Sequence, residues 1–150
     1  MNIYYDTGLI LKLYTQEPES DSVIRFITDK SAPIPFLSIH KSECTAALHQ
    51  KVFRREYLLA DANRALSDID EDQRKGILKP LSPEWEYTWN KTIELSCSHA
   101  SQIGSRTLDT LHVAAALELG FRAFASSDGR QKELARRTGL TVHDPTNTHK

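Results

Sequence analysis

Apolar residues along the chain switch between an alternating rhythm and a helical one. A short β-prone run, Ile3-Tyr4-Tyr5, ends at Asp6, and Leu9, Ile10, Leu13 and Tyr14 then recur at helical spacing. Glu17-Pro18 stops that run, because proline disfavours a helical residue before it. Val23, Ile24, Phe26 and Ile27 form a second short helical pattern, and Pro33-Ile34-Pro35-Phe36-Leu37 leaves room only for a short strand. Ser38 is the expected N-cap of the next helix, which carries Cys44, Ala47, Leu48 and Val52 on one face with Glu43 at its edge. Leu58, Leu59, Ala62, Ala65, Leu66 and Ile69 make a long stripe that Gly76 closes.

The second half repeats the alternation. Residues 77–81 predict a strand, and Ser82-Pro83-Glu84 predicts a helix start: cap, proline in the first turn, acid at the positive end of the dipole. Trp85, Trp89 and Ile93 follow at four-residue spacing and are expected in the core rather than as a base-stacking platform. Residues 106–120 are apolar on nearly every side, as a helix buried against a sheet must be. Residues 121–125 predict another strand, Ser126-Ser127-Asp128 opens a helix with Leu134 and Ala135 inward, and Leu140-Thr141-Val142 is the last strand after Gly139. Strands and helices in alternation with brief connections predict an α/β fold whose parallel sheet is covered on both faces. One domain is expected over 1–144, with a loose tail over 145–150.

Composition adds little to that picture. The formal net charge of −1 gives no global signal for nucleic acid, although such a sum hides a basic rim around an acidic centre. Cys44 and Cys97 lie in helical patterns without metal-ligand spacing, so neither a zinc site nor a disulfide framework is expected. A reducing, cytoplasmic location follows, and the amino-terminal region lacks a signal-peptide pattern or an apolar run of spanning length.

Four acids occupy places where carboxylates need a reason. Asp6 and Asp128 both leave strands at the edge where right-handed crossovers gather the carboxyl ends; each also suits a simple N-cap. Glu43 either faces inward or reaches solvent along its own stem. Asp109 sits in the most apolar helix and must be paired, protonated or metal-bound, and Arg106 offers a local ion pair. If the four converge, their repulsion favours a hard divalent ion, Mg2+ or Mn2+, bound through oxygen and water. The run Asp68, Asp70, Glu71 and Asp72 points in several directions and reads as a solvated face. His112, one turn after Asp109, reads as a hydrogen-bonded structural histidine rather than a ligand.

The motifs Tyr5-Asp6-Thr7 through Lys12-Leu13-Tyr14, Ser42-Glu43, Leu108-Asp109-Thr110-Leu111-His112-Val113-Ala114, and Ser127-Asp128 with Leu134-Ala135 and Gly139-Leu140 together resemble the PIN-domain family, in particular its small VapC-like toxin ribonucleases. The resemblance implies a three-layer α/β/α sandwich and an acidic pocket made by Asp6, Glu43, Asp109 and Asp128. Three of these acids, Asp6, Asp109 and Asp128, would serve as metal ligands, with Thr7 in support. It also implies metal-dependent cleavage of RNA, a homodimer, and a small antitoxin that covers the pocket. Gly8 departs from the serine common at that place, which leaves Thr7 to supply a hydroxyl. Lys12, Arg54, Arg106 and Arg130, each close in sequence to one of the acids, are the expected RNA-binding rim, with Lys51 and Arg55 as further candidates. The triplet Asp6-Thr7-Gly8 also spells an aspartic protease motif, but that class needs an almost all-β chain. A PIN-like fold used as a non-catalytic RNA-binding or protein-interaction module is the remaining alternative.

Overall fold

A computed structural model describes residues 2–147. In chain order the elements are β1 (Ile3–Tyr5), α1 (Thr7–Leu11), α2 (Ser20–Lys30), β2 (Ile34–Phe36), α3 (Ser38–Phe53), α4 (Leu59–Arg74), β3 (Leu78–Pro80) and α5 (Trp85–Leu95). A π-helical stretch (Ser96–Ala100) extends α5 and is followed by α6 (Ser101–Ile103), α7 (Thr107–Glu118), β4 (Ala123–Ala125), α8 (Gly129–Arg137) and β5 (Thr141–His143).

Every strand pairing is parallel. β4 lies between β1 and β5, with Ile3 opposite Ala123 and Ala123 opposite Thr141, while β2 pairs with β3. β2 also runs alongside β1. The chain thus builds outward from β1 on one side through β2 and β3, then returns to the other side with β4 and β5. The β1–β4 boundary is the topological switch point, where open parallel sheets form a crevice beyond their carboxyl ends.

Period-two alternation in β1 and β4 separates two cores. Ile3, Tyr5, Ala123 and Ala125 face a cluster with Leu9, Val23, Cys44, Leu48, Ala62 and Ile69, contributed by α1 to α4. Tyr4 and Phe124 point the other way, toward Leu95, Val113, Ala114, Leu134 and Leu140. Helices on both faces of a central parallel layer, the three-stranded β1–β4–β5 sheet with the β2–β3 pair alongside, make the expected three-layer α/β/α sandwich. Tyr4 and Phe124 stack with ring centroids 5.4 Å apart, and removing such a buried ring costs about 3–5 kcal/mol.

Some local expectations need correction. The cap of α3 is not Ser38, which is the first helical residue; Leu37 takes the cap position and its N–H donates to His40 Nδ1 at 2.9 Å. Likewise α5 begins at Trp85 and is capped by the Glu84 carboxylate, which accepts from Glu86 and Tyr87 N–H. Trp89 and Ile93 are 43% and 60% exposed, so the core reading fails for them, and α5 turns Thr88, Thr92 and Leu95 inward instead. Residues 148–150 of the expected tail lie outside the described residues. Within 145–147, Pro145 is buried, and Asp144 accepts from Lys132 Nζ and from the Thr146 hydroxyl.

Candidate active site

Asp6 stands at the switch point. Its N–H continues the ladder to Ala125 C=O at 3.0 Å, so its side chain emerges where β1 gives way to α1. One carboxylate oxygen, Oδ1, accepts from Leu9 N–H at 2.8 Å, the N-cap bond expected of such a residue. The other, Oδ2, meets Ser126 Oγ at 2.6 Å. Capping and a place in the site are therefore both true of Asp6.

Ser126 was not singled out in the sequence. Its Oγ faces Asp6 Oδ2 and Gln131 Oε1, at 2.6 and 2.8 Å, while accepting from Asp128 N–H at 3.0 Å. A hydroxyl has one hydrogen to give. Two acceptors thus share one donor when Asp6 is ionised, and the count closes when Asp6 carries a proton. The direction of its pKa agrees: burial pushes the carboxyl of Asp6 above the usual range, and the bonds from Ser126 and Leu9 only partly counter this. Gln131 donates onward from Nε2 to Asp109 C=O at 3.3 Å, tying α8 to α7.

Glu43 projects from α3 toward the same edge. Its Oε1 accepts from Thr7 Oγ1 at 2.7 Å and lies 2.5 Å from His112 Nε2. Tyr4 Oη approaches the opposite ring nitrogen, Nδ1, at 2.7 Å. Burial raises the carboxyl of Glu43, but the bonds from His112 and Thr7 outweigh it and hold the group below its ordinary value. His112 is 1% exposed and hydrogen-bonded, as expected from the sequence; its partner, a site carboxylate, was not foreseen.

Asp109 and Asp128 line an open cleft of about 530 Å³ with Arg106, Gly129 and Arg130. Asp128 caps α8 through Oδ1, which accepts from Gln131 N–H at 2.9 Å. Asp109 is different. Among the described residues its carboxylate has no hydrogen-bond donor and no ion pair, so the local Arg106 pair offered by the sequence does not form. Burial, and after it the charges of Asp128 and Glu43, push its carboxyl above the ordinary range.

The four acids thus share one edge. Asp109 lies within electrostatic reach of Asp6, Glu43 and Asp128, with Asp6 beneath the surface and Glu43 at the rim of a neighbouring apolar groove. Their chemistry fits a hard cation: all-oxygen donors, one of them, Asp109, raised by burial and then by its neighbours and unpaired among the described residues. Among the described residues no three acid, histidine or cysteine side chains converge tightly enough to form a complete cage.

The basic rim divides in two. Arg106 and Arg130 stand at the cleft. Lys12 is instead bound to Glu17 at 2.9 Å, where Lys51 also sits at 3.1 Å, and Arg54 pairs with Glu56 at 3.0 Å. A methyl-sized group built on Gly8 would lie 3.6 Å from Asp6 Oδ1, so the missing serine would have stood beside that carboxylate.

No protein-family model matches the sequence. The chain is 27% identical over 146 residues to Ribonuclease VapC46 of Mycobacterium tuberculosis, covering 96% of this chain and 98% of that protein. Its fold is similar to the crystal structure of FitAcB from Neisseria gonorrhoeae, with a TM-score of 0.62, 14% identity, and 97% and 99% of the two chains covered. A structure of FitAB bound to an IR36 DNA fragment is similar with a TM-score of 0.66, again at 14% identity, with 99% of both chains covered. The structural neighbours share the fold, and the similarity to a VapC ribonuclease runs over nearly the whole length of the chain.

Proposed function

We propose that the protein is a metal-dependent endoribonuclease that hydrolyses RNA phosphodiester bonds, acting as the toxin of a toxin–antitoxin pair. The observation that carries this reading is Asp109: a carboxylate with no hydrogen-bond or ion-pair partner among the described residues, raised by burial and by its acidic neighbours, in an open cleft flanked by two arginines. The full-length likeness to a VapC ribonuclease supports the same reaction.

Asp6, Asp109 and Asp128 are the residues that would hold Mg2+ or Mn2+. Bound there, the ion supplies an activated water and compensates the charge that builds on the scissile phosphate. Arg106 and Arg130 hold flanking phosphates at the cleft mouth. Glu43 is kept ionised by Thr7 and His112 and presents Oε2, which has no hydrogen-bond donor among the described residues, as the atom that takes up a proton. A small antitoxin covering the cleft with a cationic side chain, a homodimeric assembly and a cytoplasmic location complete the reading. No helix among the described residues is long and apolar enough to cross a membrane.

The test is cleavage of a mixed RNA pool by purified protein with Mg2+, with Mn2+ and with EDTA, alongside calorimetric titration of each metal. Metal-dependent cleavage that Asp109→Asn abolishes is the expected result. RNA binding without cleavage under any metal would favour the non-catalytic module instead.

A further inference from the structure

A buried imidazole needs partners on both nitrogens, and in an apolar helix such as α7 they must come from other elements. His112 finds them on three. Tyr4 on β1 reaches Nδ1, Glu43 on α3 reaches Nε2, and Thr7 at the start of α1 lies 3.2 Å from the same Nε2. Proton placement follows from the acceptors. A lone pair on Nε2 would face Glu43 Oε1 directly, so the hydrogen belongs on Nε2, and the Tyr4 hydroxyl then donates to Nδ1. His40, 4.7 Å away ring to ring, is not a competing partner: its Nδ1 accepts from Leu37 N–H and its Nε2 donates to Tyr5 C=O.

We infer that His112 is a positioning residue: with its hydrogen on Nε2 and Tyr4 donating to Nδ1, it acts with Thr7 to saturate Glu43 Oε1, fixing the carboxylate so that Oε2 alone is left free at the rim of the groove beside the cleft. A glutamate side chain otherwise samples many rotamers, and two donors from different elements on one oxygen remove that freedom before substrate arrives. The sequence places Asp109 and His112 one helical turn apart, so α7 delivers one carboxylate to the cleft and disciplines another from behind. This inference rests on the ribonuclease reading for its catalytic consequence, while the placement of the proton stands on the geometry alone.

The experiment has two arms. Nitrogen-15 NMR of the histidines at pH 7.5 is expected to show His112 with its hydrogen on Nε2 in the wild type, and with that preference lost in Glu43→Gln, whose amide can donate to a bare Nε2. Steady-state RNA cleavage is expected to fall about tenfold or more in kcat for His112→Leu, with KM within about twofold, because positioning acts on the reacting geometry rather than on RNA binding. His112→Gln, whose amide N–H can stand in for Nε2–H, is expected to recover part of that loss. Thermal melts accompany each variant, and if His112→Leu does not fold, Tyr4→Phe and Thr7→Val carry the kinetic arm. A wild-type ring with hydrogen on Nδ1 overturns the inference whatever the activity. Active wild type with unchanged kcat in the folded variants, or His112→Gln no better than His112→Leu, overturns it too. Wild type that cleaves no RNA while showing Nε2–H overturns the ribonuclease reading, and with it the catalytic role of His112.

Discussion

Glu43 and Asp109 are both carboxylates on helices at the same sheet edge, yet the protein treats them oppositely. Around Glu43 the chain supplies a hydroxyl and an imidazole, and the acid is held below its usual pKa despite burial. Around Asp109 the side-chain partners are missing among the described residues, and burial with like charges drives it above. The first environment stabilises a charge from within the fold. The second leaves one to be compensated from outside, which is the electrostatic asymmetry a metal-dependent site requires.

The hardest blow to that contrast is removal of the uncompensated charge. Asp109→Asn and Asp6→Asn are each expected to lower RNA cleavage by about a hundredfold or more while leaving the metal-free melting temperature unchanged or higher. Full activity in either, assayed with melts alongside, would refute the assignment.

The two carboxylate environments should also respond to pH with opposite signs. For Asp6 and Asp109, whose folded pKa is raised, the stabilising contribution is complete below about pH 4 and is lost as pH climbs through the raised value. For Glu43, whose folded pKa is lowered, the contribution is present above about pH 4.5 and lost as pH falls. Metal-free protein is therefore expected to lose stability as pH rises through the range of Asp6 and Asp109. Mg2+ at about a hundred times its Kd should return about 2.7 kcal/mol. Denaturant melts of wild type, Asp6→Asn and Asp109→Asn across pH, with and without metal, measure this; a loss equally steep in all three would contradict it.

A smaller effect isolates the Glu43 side. Tyr4→Phe leaves His112 Nδ1 buried without a donor and is expected to cost about 1–3 kcal/mol in urea unfolding, with no change in metal affinity. The smallest effect concerns the rim. Arg106→Ala and Arg130→Ala, in an Asp109→Asn background, should each reduce the log–log salt slope of RNA affinity by roughly 0.7, the value for one contact to a single strand. Lys12→Ala and Arg54→Ala should leave it unchanged, because their charges are already spent on Glu17 and Glu56. Equal slopes for all four would place RNA elsewhere.

Strand-to-helix junctions at Asp6 and Asp128 were legible because β-prone runs stop there and helical spacing begins, and Asp109 because its helix is apolar on nearly every side. The parallel sheet followed from the alternation of elements. What escaped had local causes. In α5 the large apolar residues at four-residue spacing suggested the wrong buried face. Thr88 and Thr92 are small enough to pack inside and satisfy their hydroxyls on Glu84 and Thr88 carbonyls, one turn back, so they hide as polar letters in a core face. Ser126 and Gln131 carried a weak signal, a hydroxyl two residues before an acid and an amide on an inward helical face. The partners of Lys12 and Arg54 lie within a few residues, but nothing in the spacing ranks a carboxylate of the site above one beside the lysine. Tyr4 and His112 are 108 positions apart, and no local pattern links them.

The pairing of β1 with β4 also governs when the protein comes into being. Asp6 leaves the ribosome well before Ser126, which holds its second oxygen and is 120 residues later in the chain. Until that length has been synthesised, the opening strand has no β4 to lie against, and its carboxylate has neither the Ala125 carbonyl nor the Ser126 hydroxyl to locate it. Contacts so distant in sequence are also slow to close, since loop entropy must be overcome before they contribute. The carboxylate pocket is therefore a late event in the life of each molecule, assembled only after the 120 residues that separate Asp6 from Ser126 have been made.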